Sequence, residues 1–226
     1  MLRTNLKRIA MYLLIALSLY LTIGYLFHLV LFPEKKPKVS TYFKPDVEFY
    51  SAVEGFRQKV IKQENGIVYC SLQVEPFAAG PPEHIHTDFD EYVEIHNGEL
   101  SLLINGEVKK IHPGEKVHIP KGTPHKPFNE TAETLYLKGH IAFPENFAYN
   151  LVQVYGFLDS HPDFEKSPKT LLQMSMFASA GFDSYKGDGT PILAQKVVGF
   201  LMTPLARFLG YKSYYEEYDI LRKLDS

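Results

Sequence analysis

The sequence predicts an all-β core that is preceded by a transmembrane helix and followed by a helical extension. Three observations support this division. Residues 9–32 are uncharged and mostly apolar, residues 45–143 contain short alternating strands with turns between them, and residues 144–226 carry helical patterns. Regularly spaced short strands are typical of a β-sandwich or a β-barrel. A chain of 226 residues is long enough for one such domain with these appendages.

Composition and charge narrow the classes of function. The chain has 24 Lys and Arg against 26 Asp and Glu, for a formal net charge of −2. This balance gives no basic surface for nucleic acid, and no segment resembles a helix-turn-helix, so we expect no nucleic-acid partner. The single cysteine, Cys70, excludes an intramolecular disulfide, and we expect it to be a buried small apolar residue.

The N-terminus has a basic head over residues 1–8 and a candidate membrane anchor over residues 9–32. At ~1.5 Å per helical residue, the apolar run is long enough to cross a hydrocarbon core of ~30 Å. A cleaved secretory signal is the alternative, but the run is longer than such signals, and no small-residue cleavage site follows it. We therefore expect a single-pass anchor. Its bulky side chains with polar tips are Tyr12, Tyr20, Tyr25 and His28.

Basic residues flank both ends of the anchor, so charge gives only a slight preference for orientation. A short basic head before a long span usually stays in the cytoplasm, and we expect the soluble domain to lie on the exported side. Residues 33–44 follow as a stalk rich in proline and lysine.

The β region opens with a clear alternating strand at residues 67–74. Its apolar face comprises Val68, Cys70, Leu72 and Val74. Asn97-Gly98 is a strong signal for a hairpin between two strands at residues 91–104. Further short strands continue to residue 143.

The C-terminal extension has helical patterns at residues 145–159 and 167–181, the second with Ser167 and Pro168 at its start. A third pattern, at 191–210, is apolar nearly all round and contains Pro204, which should kink it. We favour packing of this third helix on the β core or in a homodimer. A helix in the membrane interface is the alternative, and a second full span fits least.

Histidine and carboxylate side chains converge in the segment from residue 80 to residue 98. His84 and His86 are two residues apart in a strand, so they face the same side. Glu91 shares a face with apolar Val93 and Ile95, and a buried carboxylate is costly unless a cation meets it. Imidazole and carboxylate together suit a divalent transition metal. The neighbouring acids that we expect outside the site are Asp88, Asp90 and Glu94.

Two segments resemble the motifs of the cupin superfamily. Residues 80–98 resemble the first motif through His84, His86, Glu91 and Gly98. Residues 114–129 resemble the second through Gly114, Pro120, Gly122, His125 and Asn129. The resemblance covers residues 67–143, and its one departure is Gly80, which lies closer to His84 than the leading glycine of the motif usually does.

This resemblance implies a small antiparallel β-barrel of jelly-roll type over residues 45–143. It also implies one metal ion, which could be iron, manganese, nickel, copper or zinc, with open positions for water, dioxygen or an anionic substrate oxygen. The implied ligands are His84, His86, Glu91 and His125. We expect the remaining histidines of this region, His96, His112 and His118, to be structural or solvated, whereas His140, on a late strand, could line the pocket.

Two functions follow from this site. The first is an enzyme acting on a small molecule, with dioxygenase-like chemistry and a hydrophobic or aromatic substrate that fits an apolar lumen. The sequence identifies no second catalytic group, and Tyr92, Tyr136 and His140 are candidates by position only. The second is a non-catalytic module that binds a small ligand or a partner protein and holds a structural metal.

Overall fold

The computed structural model describes residues 2–31, 33–163, 167 and 169–220. The last residue of the predicted anchor, the predicted helix-start residue Pro168 and the chain end at 221–226 lie outside these ranges.

The N-terminal segment is helical, as predicted. It comprises α1 (Leu2–Thr22), a π-helical turn (Ile23–Phe27) and α2 (His28–Leu31). Within the described residues, Asn5–Leu31 is the one helical stretch that is long and apolar enough to cross a membrane, with a mean hydropathy of 2.0.

The β core consists of short strands. In chain order they are β1 (Glu48–Ser51), β2 (Phe56–Glu64), β3 (Ile67–Val74), β4 (His84–Ile85), β5 (Glu91–Glu94), β6 (Leu100–Ile104), β7 (Glu107–Ile111), β8 (Lys116–Ile119), β9 (His125–Phe128), β10 (Leu135–Tyr136), β11 (Ile141–Pro144) and β12 (Tyr185–Lys186). The first sheet has the order β1-β2-β3-β10, with β11 also paired to β3, and the second has the order β12-β4-β9-β6-β7. A third, two-stranded sheet pairs β5 with β8.

All of these pairs are antiparallel, which confirms the predicted all-β antiparallel core. The inward face of β3 is buried as predicted, and Cys70 lies on it. The predicted closed barrel is not found, because the described strands form three separate sheets. An isolated bridge between Ile95 and Leu137 joins the β5-β8 pair to the segment between β10 and β11.

The predicted hairpin at Asn97-Gly98 is wrong. Strand β5 pairs with β8, whereas β6 pairs with β7 and β9, so these two residues connect different sheets. The Asn97 side chain instead donates to the Thr134 carbonyl and accepts from the Tyr136 amide, both at 2.9 Å. Two other Asn-Gly pairs have the hairpin geometry. Asn65-Gly66 joins β2 to β3 with φ angles of 54° and 77°, and Asn105-Gly106 joins β6 to β7 with φ angles of 50° and 81°.

The C-terminal extension contains the three predicted helices, which are α3 (Glu145–Ser160), α4 (Thr170–Ser179) and α5 (Ile192–Phe208). Most of α3 is buried, and it packs against β1, β3 and β11 of the first sheet. Helix α5 packs mainly on α4 and on the N-terminal π-helical turn, and it also contacts α1 and strand β12.

The segment that we predicted as a stalk is attached to the C-terminal extension. The Glu34 carboxylate accepts hydrogen bonds from the backbone amide and the hydroxyl of Ser213, at 2.7 and 2.6 Å. Lys36 also donates to that hydroxyl. Tyr42 and Phe43 are buried in the core, so the core begins before residue 45.

Candidate metal centre and cavity

Three histidines converge where β4 meets β9. His84 lies directly opposite His125 in the register of these two strands, and His86 follows immediately after β4. The ring centroid of His84 lies 4.7 Å from that of His86 and 4.3 Å from that of His125. One ring nitrogen from each histidine lies within 4.8 Å of the other two, so the three side chains could hold one metal ion.

Backbone carbonyl groups fix the orientation of all three rings through Nδ1. The acceptors for His84, His86 and His125 are the carbonyl oxygens of Pro82, Asp183 and Thr123, at 2.9, 2.5 and 2.9 Å. Because a carbonyl oxygen only accepts, each Nδ1 carries a proton. Each Nε2 is then left to face the centre, which is the arrangement of histidines that bind metals. The residues present therefore fit a metal ion.

Glu91 lies on the inward face and contacts two of these histidines. Its side chain is 10% exposed, and its carboxylate oxygens lie 3.1 Å from Nε2 of His125 and 3.6 Å from Nε2 of His86. Burial alone would raise the pKa of Glu91, but the hydrogen bond from His125 and the nearby imidazoles lower it to about 2. Glu91 is therefore a buried carboxylate anion beside the cluster.

The histidines differ in protonation. Burial, together with the proximity of His86 and His125, lowers the pKa of His84 to about 3. Burial also lowers the pKa of His86. Burial opposes protonation of His125 as well, but the hydrogen bond and charge of Glu91 outweigh it, so the pKa of His125 lies above its usual range. Without a metal, one proton therefore joins His125 to Glu91, while His84 and His86 are in the neutral form that binds metals.

Asp183 supports the centre and was missed by the sequence prediction. Its backbone carbonyl accepts from His86, and its carboxylate accepts from the Thr87 amide and hydroxyl, both at 2.7 Å, and from the Asp88 amide at 2.8 Å. It belongs to a strap, residues 182–188, in which β12 pairs with β4 opposite His84. No local motif marks Asp183, which lies 97 residues after His86.

A cavity of about 480 Å³ adjoins the histidines. This volume is within the range of ~300–1,000 Å³ that is usual for small-molecule sites. Its walls come from the first sheet, β4, β5, α3 and the strap, and they are mostly apolar, with several aromatic rings. The centre is therefore open to a small molecule with a large apolar surface.

The other polar residues that we considered lie outside this site. His118 pairs with Asp90 at 2.8 Å, and Glu94 pairs with Lys138 at 2.7 Å. His140 is exposed and packs edge-on against Tyr69. The remaining candidates are exposed as well, namely His96, His112, Tyr92 and Tyr136. None of these side chains lines the described cavity, so the three positional candidates for a second catalytic group are not supported.

The antiparallel β core and the three converging histidines indicate a β protein that could bind a metal ion. Residues 71–138 match the Cupin_2 family model, described as a cupin domain. This match covers less than half of the chain and includes all four predicted ligands. It supports placing this part of the chain in the cupin superfamily.

Individual relatives match limited parts of the chain. The oxidoreductase iacF of Pestalotiopsis fici is 34% identical over 84 residues, which are 37% of this chain and 35% of that protein. The structure of KdgF from Halomonas sp. is 19% identical, with a TM-score of 0.36, over 42% of this chain and 84% of the other. The polyketide cyclase RemF from Streptomyces resistomycificus is 18% identical, with a TM-score of 0.37, over 49% of this chain and 79% of the other.

Proposed function

We propose that this chain is a membrane-anchored cupin that binds one divalent transition metal ion and oxidises a small molecule, with dioxygenase-like chemistry. The observation that carries the proposal is the convergence of His84, His86 and His125, each with its Nδ1 held by a backbone carbonyl. The similarity to the Pestalotiopsis fici oxidoreductase supports the reaction class.

Glu91 is the proposed fourth ligand. Its carboxylate already lies against Nε2 of His125, where a proton now joins the two groups. A divalent cation at this position would replace that proton and neutralise the buried charge of Glu91. Three neutral imidazoles and one carboxylate suit iron, manganese, nickel, copper or zinc. When bound, such an ion supplies Lewis-acid activation of a chelating substrate and, for a redox-active metal, reactivity towards dioxygen.

The chain itself would position the substrate and exclude water. The three backbone carbonyls keep the imidazoles directed at one point, so little reorganisation is needed when a ligand arrives. The aromatic and aliphatic walls of the cavity, among them Phe143 and Phe147, would bind a hydrophobic or aromatic molecule and displace water from the centre.

Residues 9–32 are the proposed single-pass anchor, and residues 191–210 are a proposed second membrane contact. Helix α5 packs against the anchor and exposes large apolar side chains, which are Leu193, Val197, Val198, Phe200, Leu205, Phe208 and Leu209. Because these side chains continue the apolar surface of the anchor, a lipid environment would cover both. The soluble domain would lie on the exported side.

The test begins with elemental analysis of the full chain, expressed in cells and purified in detergent. We expect one divalent ion per chain, and its loss in His84→Ala and in Glu91→Ala. His118→Ala is the matched control, because His118 is paired with Asp90 outside the centre and should leave the metal content unchanged. Oxygen uptake is then measured with phenolic and β-diketone substrates, on protein loaded in turn with each of the five candidate metals. Absence of turnover with each of the five metals would overturn the enzymatic proposal.

A non-catalytic role is the second candidate, and the Glu91–His125 contact favours it. This pair satisfies the buried carboxylate without a metal, so the cavity could bind a ligand with the metal as an accessory. A double variant, His84→Ala with His125→Ala, separates the two functions. Loss of metal with intact cellular function would favour the binding module, whereas loss of both supports the enzyme.

A further inference from the structure

A second polar cluster lines the cavity, on the first sheet and α3. It consists of Glu54 in the turn between β1 and β2, Gln58 in β2, and Tyr155 in α3. The three residues are 6%, 2% and 3% exposed. The histidines belong to the second sheet, so the two polar groups lie on different walls of one largely apolar cavity.

The direction of the hydrogen bonds within this cluster is fixed. Gln58 Nε2 donates to the Tyr155 hydroxyl at 3.0 Å. Burial, followed by the charge of Glu54, raises the pKa of Tyr155 well above its usual range. The Tyr155 hydroxyl therefore remains protonated and donates a hydrogen bond to the Glu54 carboxylate. Since the phenol proton is used in this way, the Gln58 amide must present its NH₂ group to Tyr155 and its carbonyl oxygen elsewhere.

That carbonyl oxygen, Oε1 of Gln58, has no hydrogen-bond partner. Five buried side-chain polar atoms in the described part of the chain lack one, and Gln58 is the only residue among them that lines the cavity. A buried acceptor without a donor costs stability, and native proteins keep few of them. A donor group on a bound molecule would satisfy it.

We propose that Glu54, Gln58 and Tyr155 form a subsite that accepts a hydrogen bond from a hydroxyl group of the bound substrate. The inference deepens the proposed function, because the metal centre would bind another oxygen of the same molecule. The substrate class is then a largely apolar molecule with a metal-binding oxygen and a separate hydroxyl group that points to the other wall.

A hydroxyl group fits this subsite better than an ammonium group. The surrounding side chains are apolar, including Phe56, Leu72 and Val74, so an ammonium ion would pay a large desolvation cost. The Glu54 charge is already engaged by the Tyr155 hydroxyl. A hydroxyl group needs only one acceptor, and Gln58 Oε1 supplies it.

The first test compares matched probes on the wild-type full chain. The probes are 1-phenyl-1,3-butanedione and its derivatives with a hydroxy, methoxy or aminomethyl group at position 4 of the phenyl ring (the 4-hydroxy, methoxy and amino probes), titrated calorimetrically into zinc-loaded and metal-free protein. The aminomethyl group is an ammonium ion at neutral pH. The 4-hydroxy probe should bind about tenfold more tightly than the parent, because it satisfies the buried acceptor. The methoxy probe lacks the donor and should lose this advantage. Equal affinities for the hydroxy and methoxy probes, or tighter binding of the amino probe, would overturn the hydroxyl subsite.

The second test uses Gln58→Leu, which removes the acceptor and retains a side chain of similar size. The preference for the 4-hydroxy probe should disappear, while the affinity for the parent stays the same or increases. Gln73→Leu is the matched control, because Gln73 lies on the neighbouring strand and does not line the cavity. It should keep the preference, and thermal unfolding reports whether both variants fold.

The two proposals fail in different ways. If no metal binds but the hydroxyl preference persists in metal-free protein and depends on Gln58, the subsite stands and the enzymatic proposal falls. If metal binds and the wild-type chain shows no hydroxyl preference, the subsite falls alone.

Discussion

The Tyr25 hydroxyl of the N-terminal helix donates a hydrogen bond, at 2.8 Å, to the Phe200 carbonyl of α5. In an uninterrupted helix that carbonyl would accept from the amide of residue 204, but Pro204 has no amide proton. The two helices are very close here, since a Cβ atom added to Gly24 would lie 2.1 Å from Cβ of Pro204. Arg207 donates to the Gly24 carbonyl at 3.1 Å, within the π-helical turn.

Tyr20, which lies about one turn earlier in the N-terminal helix, satisfies two further backbone groups of α5. Its hydroxyl donates to the Leu201 carbonyl at 2.7 Å and accepts from the Leu205 amide at 3.1 Å. In a regular helix these two backbone groups would bond to each other. The N-terminal helix therefore supplies the hydrogen bonds that α5 lacks around its proline, and the two helices form one unit.

Removal of the Tyr25 hydroxyl tests this relationship. Tyr25→Phe should lower the free energy of unfolding by about 1 kcal/mol, because the Phe200 carbonyl loses its partner. In a Pro204→Ala background the residue-204 amide can bond to that carbonyl, so the same change should cost close to nothing. Thermal unfolding in detergent micelles gives the coupling energy of this double-mutant cycle. Tyr12→Phe, on an exposed position of the same helix, is the control. Equal costs of Tyr25→Phe in both backgrounds would contradict the pairing.

The strap gives a second prediction, about metal affinity. Asp183→Ala removes the three hydrogen bonds that the carboxylate accepts from Thr87 and Asp88. The backbone carbonyl of residue 183, which orients His86, is then held less firmly in place. Loss of such a supporting contact usually weakens metal binding by about 10- to 100-fold, and we expect that range in competition with a chelator. Asp188→Ala is the control, because Asp188 bonds within its own turn, to Thr190. Unchanged affinity in Asp183→Ala would show that the strap does not support the centre.

The inward direction of His84, His86 and Glu91 could be predicted because it follows from local geometry, whereas the inclusion of His125 came from the resemblance of the second motif. Alternation in a strand places His84 and His86 on one face, and the apolar neighbours of Glu91 place it on the inward side. Alternation likewise predicted the buried face of β3, and periodicity predicted the three C-terminal helices.

Features that depend on distant pairing could not be predicted in this way. Asn97-Gly98 has the composition of a hairpin turn, but the choice of strand partners places it between sheets, where Asn97 bonds to residues near β10. Gln58 and Tyr155 reach the cavity only through packing of the first sheet and α3, and Asp183 reaches His86 only through packing of the strap. The hydroxyl of Tyr25 has a role that depends on a proline far away in the chain.

A third prediction concerns the effect of pH on the Glu34 contact with the C-terminal segment. Burial alone would raise the pKa of Glu34, but hydrogen bonds from Ser213 and the charge of Lys36 lower it below the usual 4.5. The folded state thus binds fewer protons than the unfolded state, and stability falls as pH falls. The contribution of Glu34 is present above about pH 4.5 and is lost as the pH falls through the lower, folded-state pKa.

Glu34→Gln should therefore lower the melting temperature at pH 7 and have a smaller effect at pH 3. The control is Glu107→Gln, at an exposed position of β7, which should change the melting temperature little at either pH. A Glu34→Gln effect that is the same at both pH values would exclude the ionised carboxylate as the stabilising group.

The last prediction concerns Gly80, the glycine that lies closer to His84 than the leading glycine of the first cupin motif usually does. Its φ of 67° is in the left-handed region, and an added Cβ atom would lie 1.9 Å from the Pro127 carbonyl oxygen in β9. Gly80→Ala should therefore destabilise the fold by ~3 kcal/mol and weaken metal binding, because β9 carries His125 and must move. Gly106→Ala has a similar φ, 81°, but no atom lies near its added Cβ. It should lose only ~1–2 kcal/mol and keep the metal affinity. If both variants retained the metal equally, the close approach of Gly80 to β9 would have no part in positioning His125.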